Sequence, residues 1–470
     1  FKQKTAYEIR LSLVGSEMCI RDSTSHFVNF PMKVVLLPLY FDPGRDSGFD
    51  RQLTALRALL GSEVDFLPPV PLGNLLPPSD AVIFPQLLGE GYRRVEDFKK
   101  IDRPILVVTS EFGTLSMWDW ELITFLREAG VATMAPYSLQ QTRAIVAAFR
   151  VRRELRETKF LVYQDNPGEG QQAPIFKRFY WWESECTQRM AQKFGITIEK
   201  RSFKELGARA KAMSNTDADA AHHAWNVPVN GVAPRALDSA TKLYLAVRRD
   251  LDADPSIRAV GINCLNESHF SDTTPCLAWN RLYMEDGFIW GCEGDTVSML
   301  TKYILHRSLG APIVMTNLYP FLLGDAALKH ERIERFPEVK GDPRDYILVA
   351  HCGYMGVIPQ PFATTWTLQK KALAIVDENA TAIDARLPEG PITLAKIHPN
   401  FDRVTVAEGE LEGYAQYPGS DCLNGGVVRV QNGHRLMTRL ASHHYLLMTG
   451  SQLADIETIA PIFALEVDSI

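Results

Sequence analysis

The chain has 470 residues, of which 46% are hydrophobic and 23% are charged, and its formal net charge is −6 at pH 7. These values are typical of a soluble, cytoplasmic enzyme of roughly two to four domains, and the negative balance argues against general binding to nucleic acids. No apolar run approaches the roughly 18 residues of a membrane span, and the cysteines include no CxxC pair, so we expect neither a membrane segment nor a disulfide framework.

The first 23 residues contain KQKTAYEI and LVGSEMCIRDS, which look like translated sequencing-adapter DNA. A natural leader is the alternative, but a charged segment followed by an apolar core of roughly 7–15 residues is not visible. We therefore interpret residues 1–31 as an artefact or a disordered leader. The gene product is expected to begin near Met32.

Three regions follow. Region 32–156 alternates strands such as KVVLLPLY with helical stretches such as 49–60, which predicts an α/β sandwich. Region 157–320 begins at KFLVYQD and contains a long helix over 236–251, which predicts a second α/β unit. Region 321–470 has alternating runs such as ITLAKIHP and HHYLLMTG, separated by Gly, Pro and Asn-Gly, and a helix over 451–463. The expected fold is two Rossmann-like α/β sandwich domains followed by a β-rich C-terminal domain.

A strand–helix–strand pattern crosses the end of the second region. The apolar run GFIW ends just before Cys292 and Glu293, apolar residues then recur at helical spacing between 297 and 304, and IVMT follows. A crossover of this length predicts two parallel, neighbouring strands. Glu293 and Asn317 would then both lie at the carboxyl edge of one sheet, where open α/β sheets bind ligands. The pattern predicts that a divalent metal lies between these two side chains.

Four motifs in order resemble the L-fucose isomerase/L-arabinose isomerase-like family. They are PCLAWNRL, then CEGD with a polar residue about two dozen positions later, then VAHCGYMG around His351 and SHHYLLMTG around His444. The resemblance extends from about residue 157 to the C-terminus. It implies a divalent-metal-dependent aldose–ketose isomerase acting on a small sugar such as L-fucose, D-arabinose or L-arabinose. It also implies Mn²⁺ or another divalent cation, and a homo-oligomer (trimer or hexamer). The net charge and the lack of a long apolar run predict no nucleic-acid partner and no membrane partner.

The chemistry of such an isomerase explains the residue types. A proton moves between adjacent carbons, so the site needs a cation that polarises the carbonyl and a base within hydrogen-bond reach. Carboxylate and imidazole ligands suit manganese, whereas thiolates favour zinc. The resemblance implies that Glu293, Asn317 and His444 bind the metal, and that Glu293, Asn317 and His351 are catalytic. In this scheme Glu293 transfers the proton and His351 orients the metal or the substrate.

Each of these residues has a structural alternative. Glu293 could cap the following helix, although Asp295 is better placed to do so. His351 ends the strand DYILVAH and could be a backbone partner only. If HHYLLMTG is a strand, His443 and His444 point to opposite faces, and the motif selects His444.

Other polar and aromatic residues favour structural roles. His222 and His223 follow an Asp/Ala-rich stretch and are expected on an exposed helix or loop. The aromatic residues at 179–182 are expected in the core or at an interface rather than as a platform for a sugar.

Asn317 departs from the family pattern, which usually has a carboxylate at this position. An amide oxygen can bind a hard cation, but it brings no charge and cannot act as a base. Asp325 could supply the missing carboxylate if its loop folds back. Two alternatives therefore stay open: a retuned metal site that catalyses another sugar reaction (lyase or epimerase), and a non-catalytic sugar-binding protein.

Overall fold

The computed structural model describes the chain from residue 32 to residue 470, except for 43, 86–88, 109–116, 166–180, 182, 226, 265–266, 321–328, 330–333, 336–337, 352–353, 371–379 and 418–423. The interpretation of residues 1–31 and the alternative carboxylate Asp325 lie outside the described residues, as do three of the four aromatic residues at 179–182. Among the residues that the structure describes, no helix has both the length and the hydrophobicity that crossing a membrane requires.

The first region forms a parallel sheet with helices on both faces. Its strands are β1 (Val34–Tyr40), β2 (Val64–Phe66), β3 (Val70–Pro71), β4 (Ala81–Phe84), β5 (Ile105–Val107) and β6 (Thr133–Met134), and its helices are α1 (Ser47–Leu60), α2 (Val95–Lys99), α3 (Met117–Glu128) and α4 (Leu139–Glu154). The strand order is β2-β1-β4-β5-β6, with β3 beside β1. Leu36 of β1 packs in the same core as Phe149 of α4, whereas Leu37 packs in a separate core with Leu122 of α3. Successive side chains of β1 therefore point to opposite faces of the sheet, and helices cover both faces.

The second region forms a four-stranded parallel sheet in the order β11-β10-β7-β8. Its strands are β7 (Lys159–Tyr163), β8 (Thr197–Arg201), β10 (Ile257–Ile262) and β11 (Ile289–Cys292), and its helices are α5 (Ser184–Phe194), α6 (Phe203–Lys211), α7 (Asn215–Trp225), α8 (Pro234–Ala253) and α9 (Cys276–Asp286). The predicted helix over 236–251 begins two residues earlier, with a proline in its first turn. Proline is well tolerated there, because the first amides of a helix have no intrahelical partner.

The third region is an antiparallel sheet that closes on itself. Its strands are β12 (Ile313–Pro320), β13 (Tyr346–Ala350), β16 (Gly390–Ile397), β17 (Arg403–Ala415), β18 (Gly425–Val430), β19 (His444–Thr449) and β20 (Glu466–Ser469). The order is β16-β19-β12-β13-β18-β17-β20, and β16 also pairs with β17, so the first six strands form a ring. β20 is the exception in direction, because it pairs with β17 in parallel.

Smaller elements complete the described chain. β9 (Val229–Asn230), β14 (Thr365–Lys370) and β15 (Thr381–Arg386) form a three-stranded sheet. The helices α11 (Gly433–Thr438) and α12 (Leu453–Ile459) flank β19, and a 3-10 turn over Ala460–Phe463 extends α12. The expected mixed α/β fold with parallel sheets and a β-rich C-terminal region is therefore confirmed.

The predicted pairing at the end of the second region is wrong. β11 pairs with β10 in the parallel sheet, whereas β12 pairs with β13 and β19 in the antiparallel sheet. The two strands are therefore not parallel neighbours, and β12, which we assigned to region 157–320, belongs to the third sheet. Asn317 lies inside β12 rather than beyond its end.

The helix between these strands explains the difference. Helix α10 (Thr296–Leu309) buries residues on every side, including Lys302 and His306. It packs against β10 and β11 of the parallel sheet and also against β16 and β19 of the antiparallel sheet. A helix with one apolar stripe covers a single sheet, but α10 is enclosed by two sheets and by helix α4, and it carries the chain from one sheet to the other.

Candidate metal site

Three side chains that can bind a metal converge where the two sheets meet. Glu293 follows β11 of the parallel sheet, His444 begins β19 of the antiparallel sheet, and His443 immediately precedes that strand. One potential ligand atom from each lies within 4.8 Å of the other two. Glu293 is only 6% exposed and His444 is fully buried, whereas His443 is half-buried.

The topology brings these residues together across a long stretch of chain. Helix α10 leads from Glu293 to β12, and β12 pairs with β19 so that Asn317 lies directly opposite His444. Antiparallel partners of this kind have Cα atoms roughly 4.5–5.5 Å apart. Asn317 therefore reaches the cluster through its pairing with His444, not through the parallel pairing that we predicted.

The backbone at Glu293 is strained. Its φ angle is 56°, in the left-handed region, and the next residue, Gly294, has a φ angle of 66°. A residue with a Cβ atom in this region costs about 1–2 kcal/mol, and such strain is found most often at functional sites. The turn also lies close to β10, because a Cβ atom on Gly261 would be 3.0 Å from the Cα atom of Gly294.

Distances at the cluster are compatible with a bound cation. The Nε2 atom of His444 lies 3.6 Å from the Oε2 atom of Glu293, which is longer than a hydrogen bond. Two ligand atoms that are each about 2.1 Å from one cation are separated by roughly 3–4 Å. The gap between these two atoms therefore matches the spacing of two ligands of one ion.

Two buried atoms on paired residues have no hydrogen-bond partner within the described part of the chain: the Nε2 atom of His444 and the Oδ1 atom of Asn317. The amide nitrogen of Asn317 donates to the hydroxyl of Tyr319, 3.2 Å away, so the amide oxygen is left as an acceptor. Leaving a polar atom buried and unsatisfied costs about 1–3 kcal/mol, and a cation would satisfy both atoms. A carboxylate, imidazoles and an amide oxygen suit manganese and its neighbours.

Burial keeps both histidines neutral. It lowers the pKa of His443 to about 4, and it lowers the pKa of His444 well below the usual range, with a further contribution from His443. Since metal binding requires the deprotonated imidazole, both rings are in the binding form at neutral pH.

Asp295 adds a fully buried carboxylate beside the cluster. Its Oδ2 atom lies 2.9 Å from the Nδ1 atom of His444 and 3.0 Å from the Nζ atom of Lys396, which is also fully buried. Burial alone would raise the pKa of Asp295, but the Lys396 charge and the His444 hydrogen bond hold it well below the usual range. Burial lowers the pKa of Lys396, and Asp295 opposes that shift.

His351 also lies close to the cluster. It follows β13, forms a backbone bridge with Tyr354 and is only 2% exposed. Its ring centroid lies 5.5 Å from that of His444. His351 therefore pairs through its backbone, as the structural alternative predicted. Its ring also lies beside the proposed ligands.

The prediction that His443 and His444 point to opposite faces is wrong. The strand begins at His444, so His443 precedes it and strand alternation does not apply between them. Their ring centroids are only 4.1 Å apart, and both contribute to the cluster. His222 and His223 lie on helix α7, where we expected an exposed helix or loop, and His223 is exposed.

Several buried residues near this edge were not predicted to be functional. Trp181 is buried, and its ring centroid lies 5.0 Å from that of His444. Lys396 lies in β16, where a lysine within a run of buried residues could have been recognised as unusual. Asn263 follows β10 as Glu293 follows β11, is fully buried, and has no hydrogen-bond partner for either amide atom among the described residues. These residues make the edge more polar than the motifs indicated.

No protein-family model matches this chain, and no curated protein matches it either. The resemblance to the isomerase family therefore stays a prediction based on the four motifs.

Proposed function

We propose that this protein is a divalent-metal-dependent aldose–ketose isomerase of the L-fucose isomerase/L-arabinose isomerase-like type, with Rossmann-like α/β domains before a β-rich C-terminal domain. The observation that carries the proposal is the buried convergence of Glu293, His443 and His444, with ligand atoms within 4.8 Å of one another. The order of the four motifs along the chain supports the same assignment.

Each residue has a role in this proposal. Glu293, His443 and His444 would hold Mn²⁺ or another divalent cation, and the Asn317 oxygen would complete the set. When bound, the cation supplies positive charge that polarises the substrate carbonyl and stabilises the enediolate. Glu293 would also accept the proton from one carbon and return it to the next. His351, beside His444, would orient the substrate.

The surroundings support a polar ligand. Asn263 is fully buried, and its amide has neither a donor nor an acceptor partner within the described residues, so a ligand that offers hydroxyl groups would satisfy it. Burial of Glu293 and His444 strengthens their electrostatic interactions with developing charge. Both features fit a small sugar at the carboxyl edge of the parallel sheet.

Asn317 favours a second candidate function. It lies opposite His444, where the family pattern has a carboxylate, and its neutral amide cannot transfer a proton. A site with a single carboxylate could serve an epimerase or a lyase that acts on a related sugar. This candidate uses the same metal and differs from the first only in the fate of the enediolate.

The test begins with the metal content of protein purified without added metal, followed by reconstitution with Mn²⁺. Reconstituted protein is incubated with L-fucose, D-arabinose and L-arabinose, and the products are identified by ¹³C NMR. Ketose formation that needs Mn²⁺ and is lost in Glu293→Gln would support the isomerase. Mn²⁺-dependent cleavage or epimerisation would support the second candidate, and no Mn²⁺ binding would refute both.

A further inference from the structure

The carboxylate of Asp295 is held on several sides. Its Oδ1 atom accepts a hydrogen bond from the Ser298 amide at 2.8 Å, which caps helix α10, and its Oδ2 atom accepts one from the Ser298 hydroxyl at 2.8 Å. The Lys396 ammonium donates to the same Oδ2 atom at 3.0 Å and also to the Ser298 hydroxyl. Asp295 is thus fixed by its own helix and by β16 of the antiparallel sheet.

This fixed carboxylate determines which nitrogen of His444 carries the proton. A carboxylate only accepts hydrogen bonds, so the Nδ1 atom of His444, 2.9 Å from Asp295, must be the protonated nitrogen. In the neutral ring the Nε2 atom then keeps its lone pair. That atom is the one that faces Glu293 across the 3.6 Å gap.

We propose that Asp295 is a positioning residue for the metal site: it selects the tautomer and the orientation of His444 that present Nε2 to the cation. Lys396 and Ser298 anchor the carboxylate in that position. This inference rests on the proposed metal function of the cluster. A carboxylate that accepts from the distal nitrogen of a ligating histidine typically changes metal affinity by about 10–100-fold without touching the ion.

The first experiment leaves Asp295 unchanged. The full chain is labelled with ¹⁵N-histidine, stripped of metal, and studied by solid-state ¹⁵N NMR at neutral pH, with His444→Gln identifying the His444 signals. We expect His444 in the form protonated at Nδ1. A ring protonated at Nε2 would overturn the inference, even if Asp295 variants fail to fold.

The second experiment compares two substitutions at the same interface. Asp295→Asn keeps the size of the side chain but removes its charge, and it should weaken Mn²⁺ binding by about 10–100-fold in calorimetric titrations and change the His444 tautomer population. Thr301→Val is the control, because Thr301 links α10 to β16 by accepting from the Ile397 amide at 3.2 Å. It should lower the melting temperature but leave both other readouts unchanged.

The outcomes separate the two proposals. An unchanged tautomer and an Mn²⁺ affinity within twofold of wild type in Asp295→Asn would overturn the positioning role, as would an equal loss of affinity in Thr301→Val. If the unsubstituted protein binds no Mn²⁺, the proposed function fails. The NMR experiment on metal-free protein still shows whether Asp295 selects the Nδ1-protonated tautomer of His444.

Discussion

Replacing Glu293 by glycine and, separately, by alanine tests the strained turn that carries the carboxylate. Both changes remove the side chain that would bind the metal, so they differ only in the Cβ atom. Because Glu293 has a φ angle of 56°, we expect the glycine variant to be more stable than the alanine variant. At most positions the order is the opposite.

The magnitude follows from two opposing terms. A Cβ atom in the left-handed region costs about 1–2 kcal/mol, which the alanine variant bears and the glycine variant does not. Glycine loses more backbone entropy on folding, by about 0.5–1 kcal/mol. The net difference favours Glu293→Gly by roughly 0–1.5 kcal/mol.

Glu121 provides the matched control. It is exposed on helix α3, where glycine should be less stable than alanine by about 0.5–1 kcal/mol. The free energy of unfolding is measured for all four variants by urea denaturation with circular dichroism, in the presence of EDTA, so that bound metal does not stabilise the folded state. The sign of the glycine–alanine difference should reverse between the two positions.

One result would refute the reasoning. If Glu293→Ala is more stable than Glu293→Gly by about 0.5–1 kcal/mol, as expected at Glu121, residue 293 does not adopt the left-handed conformation in solution. The carboxylate would then lie elsewhere relative to His444, and the geometry of the cluster would have to be abandoned.

Further predictions concern the other site residues and pH. His443→Ala and His444→Ala should each weaken Mn²⁺ binding at least about tenfold, or 1.4 kcal/mol, in calorimetric titrations, whereas the exposed His223→Ala should not; no effect of His443→Ala would exclude that ring as a ligand. Asn317→Asp should tighten Mn²⁺ binding, and assays at saturating Mn²⁺ should then show faster aldose–ketose conversion, while slower turnover with tighter binding would favour the second candidate function. Burial lowers the pKa of His306 from 6.5 to about 4, so the unfolded chain takes up this proton first as the pH falls. The free energy of unfolding should therefore decrease between pH 6.5 and 4, by up to about 1.4 kcal/mol per pH unit from this group, and His306→Gln should flatten the decrease measured by urea denaturation.

Local patterns predicted most elements but not how the sheets divide. The sequence predicted a helical stretch over 49–60, observed as Ser47–Leu60, and an alternating strand in ITLAKIHP, observed as Gly390–Ile397. The short apolar run at Ile313–Pro320 suits a buried strand in either a parallel or an antiparallel sheet. Its partner β19 is more than a hundred residues away in the chain, and no local pattern encodes that pairing.

The same distinction applies to the cluster. Glu293 and His444 could be selected from their motifs, and the structure brings them together. His443 was excluded because alternation was extended one residue beyond the start of the strand. The contact between the buried side chains of Asp295 and Lys396 forms only because α10 packs against β16. Composition and residue spacing do not predict such a tertiary contact.

The division of the cluster between two sheets also has a consequence for biosynthesis. Residue 293 leaves the ribosome 151 residues before residue 444 (444 − 293 = 151), and the parallel sheet that carries it is complete by then. The nascent chain therefore carries Glu293 without His443 and His444 until β19 emerges and pairs with β12. Binding of the proposed metal by all three side chains therefore requires that residue 444 has already been synthesised and that β19 has paired with β12.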